Sequence, residues 1–160
     1  MTDFASLIPL LVNNQVEFII IGGAAATVHG SARLTEDLDI VYHRTKENVT
    51  RLVQALGKSK PYLRGAPPGL PFTFDESTVW RGLNFTLTTS LGAIDLLGEI
   101  AGGGTFENLL PNAVRIQLFD VECFCLSLEQ LILVKRAAGR PKDMETIAEL
   151  ETILEQRQRE

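Results

Sequence analysis

Thr35-Glu36-Asp37-Leu38-Asp39-Ile40-Val41-Tyr42 is the stretch on which the reading of this chain turns. In an extended segment alternate side chains share a face, so Asp37 and Asp39 project to one side while Leu38, Ile40 and Tyr42 mark the other face or the flanks. Two carboxylates about 5 Å apart at an effective dielectric near 20 repel by about 3 kcal/mol, and a divalent cation between them reverses the sign. Upstream, the apolar run Phe18-Ile19-Ile20-Ile21 ends in Gly22-Gly23, which opens a short alanine-rich segment from Ala24 to His29 that Gly30 can close. This order predicts a strand-to-helix turn at the glycines, where backbone without β-carbons and the free amides of a helix N-terminus can approach phosphate. Hard, octahedral Mg²⁺ takes carboxylate oxygens together with substrate phosphates, so the aspartate pair reads as one half of a phosphoryl-transfer site.

Working outward, Asp3 can cap a first helix with the stripe Phe4, Leu7, Ile8 and Leu11, ending at Asn13-Asn14. A buried strand follows from about Glu17 to Ile21, and the aspartate strand runs from about Leu38 to Tyr42. Thr45 caps the next helix, whose inner face is Val49, Leu52, Val53 and Leu56 and whose end is Gly57. Pro61, Pro67, Pro68 and Pro71, with Gly65 and Gly69, exclude regular elements between Lys60 and Thr73. The loop at 61–71 is long enough to be either a functional lid or a surface excursion. Leu83 to Thr88 and Ala93 to Leu97 form a hairpin around Ser90–Gly92, and Thr105 caps a brief helix after the glycine-rich connector 101–104. Val114 to Leu118 and Val121 to Cys125 form another strand pair. Ser127-Leu128-Glu129-Gln130 has the capping-box pattern and opens a helix with Leu128, Leu131 and Ile132 on one face, closed by Gly139. A last helix after Arg140-Pro141 carries Met144, Ile147, Leu150 and Leu154. The sum is an α/β chain: a mixed sheet flanked by helices and a C-terminal helical pair, in one domain over 1–160 with a core at about 15–126 and the helices at about 127–158.

Composition narrows the partners. No run approaches the roughly 18 apolar residues of a membrane span, and Met1-Thr2-Asp3-Phe4 lacks a basic leader region, so a soluble, cytoplasmic protein without membrane contact is expected. The net charge of −5 argues against general coating of nucleic acid. Between Arg33 and Arg64, however, seven basic residues stand against four acidic ones, a local balance of +3 that suits a polyanion or an ordinary solvated helix face. Cys123 and Cys125, at i and i+2 in an apolar strand, read as core residues rather than a zinc or redox pair.

Further residues bear on the chemistry. Asp95 sits between Ile94 and Leu96 in an apolar strand, a costly place for a charge unless it is paired or metal-bound. Lys135 falls on the apolar stripe of its helix, three residues after Ile132 and four after Leu131, so it either snorkels to water or reaches an anion across the core edge. Arg136, Arg140 and Lys142 are weaker phosphate candidates, since the helix dipole alone favours cations there. Arg33 and Thr35 either touch phosphate and order Asp37 or serve a plain turn. His29 reads as a structural hydrogen bonder rather than a general base, and Trp80 and Phe85 as packing residues rather than base-stacking ones.

The apolar run, Gly22-Gly23, thirteen residues, then Asp37-Leu38-Asp39 with Asp95 later resembles the signature of the DNA polymerase β-like nucleotidyltransferase superfamily. The finer resemblance is to its small prokaryotic abortive-infection and toxin–antitoxin members, through Gly22-Gly23-Ala24 to Gly30, Arg33, Thr35, and Leu128-Glu129-Gln130-Leu131 through Lys135-Arg136, Arg140 and Lys142-Asp143. It implies a palm-like nucleotidyltransferase fold and transfer of a nucleoside monophosphate from a nucleoside triphosphate to a hydroxyl of RNA or a partner protein. It also implies two Mg²⁺ ions, with Mn²⁺ as the other candidate, held by Asp37, Asp39 and Asp95. Gly22, Gly23, Arg33, Thr35 and Lys135 would bind the nucleotide, and a cognate toxin or antitoxin protein would be a partner. Many superfamily members carry Gly-Ser where this chain has Gly22-Gly23, which leaves triphosphate anchoring to backbone and cations. A drug-like acceptor is less expected, because enzymes of that kind usually carry a second domain. The alternative is a catalytically silent nucleotide- or partner-binding module, against which the intact carboxylate set counts.

Overall fold

Residues 1–160, described by a computed structural model, wrap two groups of helices around one seven-stranded sheet. The helices are α1 (Phe4–Asn13), α2 (Gly22–Val28), α3 (Lys46–Gly57), α4 (Glu76–Arg81), α5 (Phe106–Leu109), α6 (Leu128–Ala138) and α7 (Met144–Gln158). The strands are β1 (Phe18–Ile21), β2 (Asp37–Tyr42), β3 (Tyr62–Leu63), β4 (Phe85–Thr89), β5 (Gly92–Leu97), β6 (Ala113–Leu118) and β7 (Val121–Leu126), in the order β3-β4-β5-β2-β1-β7-β6. The centre is mixed, with β1 antiparallel to β2 and parallel to β7, and β2 parallel to β5. All four residues of β1 are buried, so both faces of the sheet centre are covered. One helix group is α1 with α3 and α4; the other is α2 with α6 and α7.

Most boundaries follow from local chemistry that the sequence displays. The Asp3, Thr45 and Ser127 side chains accept the backbone N–H three residues on, from Ser6, Asn48 and Gln130. Gly139 closes α6 in the left-handed conformation at φ 65°. Leu38, Ile40 and Tyr42 are fully buried on the face opposite the aspartates, as the two-residue period requires.

The structure departs from these expectations at three points. The segment 60–73 is not free of regular structure, because Tyr62–Leu63 forms an edge strand paired with Thr88 and Leu87 of β4. Pro61 lies just before this pairing, where its missing N–H costs no ladder bond. The sequence reading also passed over α4, a helix too short for periodicity to reveal, although Asp75 caps it by accepting the Thr78 N–H at 2.8 Å. The aspartate strand begins one residue earlier than expected, at Asp37.

Asn48, on α3, is fully buried and stitches the sheet to the helix: its side chain accepts the Glu17 N–H at 2.6 Å and donates to the Glu17 and His43 carbonyls at 3.0 and 2.8 Å. It thereby satisfies backbone groups at the start of β1 and the end of β2. Asn48→Ala is expected to cost about 3 kcal/mol, since it strands buried polar groups, whereas loss of the Thr45 cap should cost about 1 kcal/mol. Urea midpoints measure both; equal losses would contradict this role for Asn48.

Candidate active site

The sheet register assembles the acidic centre. Asp39 stands beside Asp95 across the parallel β2–β5 pair, Asp37 lies two residues back on the same face, and Ile21, the last residue of β1, pairs with Asp39. One carboxylate oxygen from each of Asp37, Asp39 and Asp95 lies within 4.8 Å of the other two. The glycines make this approach possible. Gly22 adopts φ +65°, and a β-carbon there would collide with the Asp39 carboxylate; one on Gly23 would lie 2.6 Å from Thr35 Oγ1. Thr35 in turn donates to the Asp37 carbonyl at 3.2 Å, fixing the turn into β2.

Like charges side by side on a sheet are unfavourable, and at Asp39 that cost favours the protonated form. Burial first, then the nearby Asp95 and Asp37, push its carboxyl up to about 7, while Lys135 pulls the other way. The Oδ1 atoms of Asp39 and Asp95 are buried and accept no hydrogen bond. Arg64 Nη2 forms an ion pair with Asp95 Oδ1 at 2.8 Å that is not aligned as a hydrogen bond, and it donates to the Leu87 carbonyl at 2.7 Å. Two unsatisfied carboxylate oxygens facing a third acid are what a hard divalent cation satisfies, and the donor set of oxygens alone suits Mg²⁺ or Mn²⁺.

A cationic wall faces the acids. Lys135, on α6, is 6% exposed, with Nζ 3.8 Å from Asp143 Oδ1. Burial holds its ammonium below the usual lysine range, while Asp143 and Asp39 favour its charge. Asp143 also takes Arg140 Nε at 2.7 Å, so one buried carboxylate positions two cations. Arg33 is exposed and tied to Glu145 of α7 at 2.9 Å, and Glu149 of α7 accepts from the Ser31 hydroxyl and the Ala32 N–H. Gly22, Gly23, Arg33, Thr35, Asp37, Asp39, Asp95 and Lys135, the full set singled out from sequence, line one polar cavity of about 260 Å³. Arg140, Lys142 and Asp143 complete its cationic side. A second cavity of about 290 Å³ shares Asp39, Asp95, Lys135 and Arg140 and is walled largely by apolar groups, among them Leu97, Ile100, Leu131 and Val134.

Arg64 is the residue that sequence reasoning missed. It reaches the acids from the proline-rich segment, and nothing in its sequence neighbourhood signals that. Asp143 entered only as part of the late basic segment, although an acid preceding a last helix was a readable cue. Other candidates lie elsewhere. The His29 Nε2–H donates to the Leu126 carbonyl at 2.6 Å while Nδ1 accepts from Arg157 at 3.2 Å, a neutral structural imidazole whose pKa burial lowers. Trp80 and Phe85 line neither cavity; the Arg44 guanidinium stacks over Trp80 at 5.0 Å. Cys123 and Cys125 are buried, with thiols pushed up to about 11 and about 12 by burial.

No protein-family model matches this chain, and no curated protein sequence matches it. Solved structures do. A lincosamide antibiotic adenylyltransferase, LnuA, bound to lincomycin, is similar over 94% of this chain and 96% of its own, with 17% identity and a TM-score of 0.62. A Thermotoga maritima protein assigned as a nucleotidyltransferase aligns over 91% of this chain and 88% of its own, with 14% identity and a TM-score of 0.55. An antigenic nucleotidyltransferase-like protein from Paracoccidioides brasiliensis aligns over 93% of this chain and 72% of its own, with 20% identity and a TM-score of 0.52. The fold is therefore the nucleotidyltransferase fold. No helix is long and apolar enough to cross a membrane.

Because folded Asp39 holds its proton up to about 7 against 3.8 when unperturbed, the metal-free chain should lose stability as pH rises through that window. At about 1.4 kcal/mol per unit the loss is on the order of 4 kcal/mol. Asp39→Asn should flatten the profile and raise the metal-free melting temperature above neutrality; an unchanged profile would refute the shift. Gly22→Ala is expected to displace the Asp39 carboxylate and weaken Mn²⁺ affinity by about tenfold or more in titration calorimetry.

Proposed function

We propose that this chain is a metal-dependent nucleotidyltransferase, which moves a nucleoside monophosphate from a nucleoside triphosphate onto a hydroxyl. The observation that carries the reading is the convergence of three carboxylates and a cationic wall on one cavity where β1 ends and β2 begins, beside β5. Asp37, Asp39 and Asp95 would hold the cation, Mg²⁺ or Mn²⁺. Such a cation would supply neutralising charge for the phosphate being transferred and lower the proton affinity of the attacking oxygen. Lys135, with Arg140 and Lys142 behind it, faces the triphosphate, and the departing pyrophosphate remains on this cationic side. Gly22 and Gly23 let the backbone come close to the phosphates; Thr35 orders the turn beneath Asp37, and Arg33 forms the outer rim.

In-line displacement requires the acceptor to arrive opposite the leaving group. The second cavity borders Asp39 and Asp95 and lacks Arg33 and Lys142, so it offers the acceptor room beside the same acids. There the hydroxyl oxygen bonds to the α-phosphorus, the bond from that phosphorus to the bridging oxygen breaks, and the hydroxyl proton passes to the Asp95 carboxylate. RNA or a partner protein, within a toxin–antitoxin pair, remains the acceptor the sequence favours. The partly apolar lining adds a small hydroxyl-bearing molecule, and chain length is no obstacle, since a lincosamide adenylyltransferase of nearly the same extent has this fold.

The test supplies each α-³²P-labelled nucleoside triphosphate, Mg²⁺ and cell extract, then separates RNA, protein and small molecules. Label is expected in one fraction and should fall by at least about 10³-fold in Asp37→Ala/Asp39→Ala, the scale of losing a main electrostatic stabiliser. Metal-dependent nucleotide binding without label in any fraction would instead support the silent binding module.

A further inference from the structure

Arg64 lies against the acidic centre, and the function just described gives it no task. Its Nη1 donates to Asp37 Oδ2 at 3.4 Å and its Nη2 stands 2.8 Å from Asp95 Oδ1. The guanidinium therefore covers the Asp37–Asp95 edge of the triad, whereas Asp39 forms no ion pair. We propose that Arg64 is the resident second cation of this site, so that the chain works with one divalent ion where the family resemblance implies two. The inference rests on the nucleotidyltransferase reading of the same carboxylates.

Three features make Arg64 a built component rather than a passing counter-ion. Its root is fixed, because the backbone N–H donates to the Thr86 carbonyl at 3.0 Å directly after the β3–β4 pairing. Its head is fixed, because Nη2 donates to the Leu87 carbonyl at 2.7 Å, and the side chain is only 26% exposed. Its Nε–H is buried without an acceptor, a cost the fold bears while placing the charge between two acids. The strand that carries it is braced in turn: the Tyr62 hydroxyl donates to the Pro67 carbonyl and accepts the Leu70 N–H at 3.2 Å, and the Phe72 ring meets Tyr62 edge-on at 6.2 Å. The proline-rich segment thus acts as a stay for Tyr62 and Arg64.

Charge balance gives the same result. Three carboxylates against one guanidinium leave two negative charges, which one divalent ion cancels. A second ion at the Asp37–Asp95 edge would stand beside a fixed positive charge in a partly buried site, where screening is weak. The single ion would then sit toward Asp39, the acid Arg64 does not reach, with the buried Oδ1 of Asp39, which accepts no hydrogen bond, as its open ligand.

Bound Mn²⁺ is counted by equilibrium dialysis and electron paramagnetic resonance on the whole chain with one equivalent of a non-hydrolysable nucleoside triphosphate analogue. Wild type should retain one ion per chain with an uncoupled spectrum. Arg64→Gln, which keeps a donor for Leu87 but no charge, should retain two spin-coupled ions, and Arg64→Lys should stay at one. Two coupled ions in wild type, or an unchanged count in Arg64→Gln, would overturn the inference and leave the nucleotidyltransferase reading standing. No retained ion in wild type would overturn both.

Discussion

Asp39 and Asp95 stand side by side on neighbouring parallel strands, and the surroundings of the site follow from holding that repulsion in place. Two like charges in direct register weaken a sheet unless something of opposite sign intervenes. The buried apolar ladder on the other face supplies the hold: Leu38 and Ile40 pair with Ile94 and Leu96, all four fully buried. Core burial thus sets the register, and the register sets the acids together. A one-residue slip would turn the acids into the core and Leu38 and Ile40 out toward the cavity.

The rest of the cavity compensates in graded ways. Gly22 gives Asp39 room, Arg64 neutralises the Asp37–Asp95 edge, and Lys135 answers Asp39 from across the cavity. Each of the wall's cations but one has an acid partner: Asp143, shared by Lys135 and Arg140, and Glu145 for Arg33. Lys142 forms no ion pair, and it faces the cavity. Such paired cations keep their positions without a ligand and can add an anionic one at little cost in ordering. The C-terminal helices contribute through these acids, since α7 ties down the segment from Ser31 to Arg33 that leads into the aspartate strand.

What sequence reveals here is what local chemistry dictates. The two-residue period placed Asp37 and Asp39 on one face, the Ile21 to Gly23 transition placed a strand-to-helix turn beside them, and side-chain caps marked the starts of α1, α3 and α6. Asp95 and Lys135 stood out as charges in apolar settings, and both face the cavity. Arg64 was illegible because its role depends on a two-residue edge strand flanked by prolines, which exists only through pairing with β4. Asn48 was hidden for a similar reason: its partners are Glu17 and His43, brought together by tertiary folding alone. The glycines were read for phosphate approach, whereas their contacts add a packing reason, the nearness of Asp39 and Thr35. The second cavity is the least legible part, since its wall of Leu97, Ile100, Leu131 and Val134 gathers residues from two segments far apart in sequence.

The central claim is that Asp37, Asp39 and Asp95 form a cation-dependent nucleotide site with Lys135 opposite. Anomalous diffraction at the manganese edge, from crystals grown with Mn²⁺ and a non-hydrolysable nucleoside triphosphate analogue, tests it most directly. The account predicts manganese density on the carboxylates, with the analogue's phosphates between that density and Lys135. Manganese absent from the three aspartates, or phosphates seated elsewhere on the chain, would contradict it.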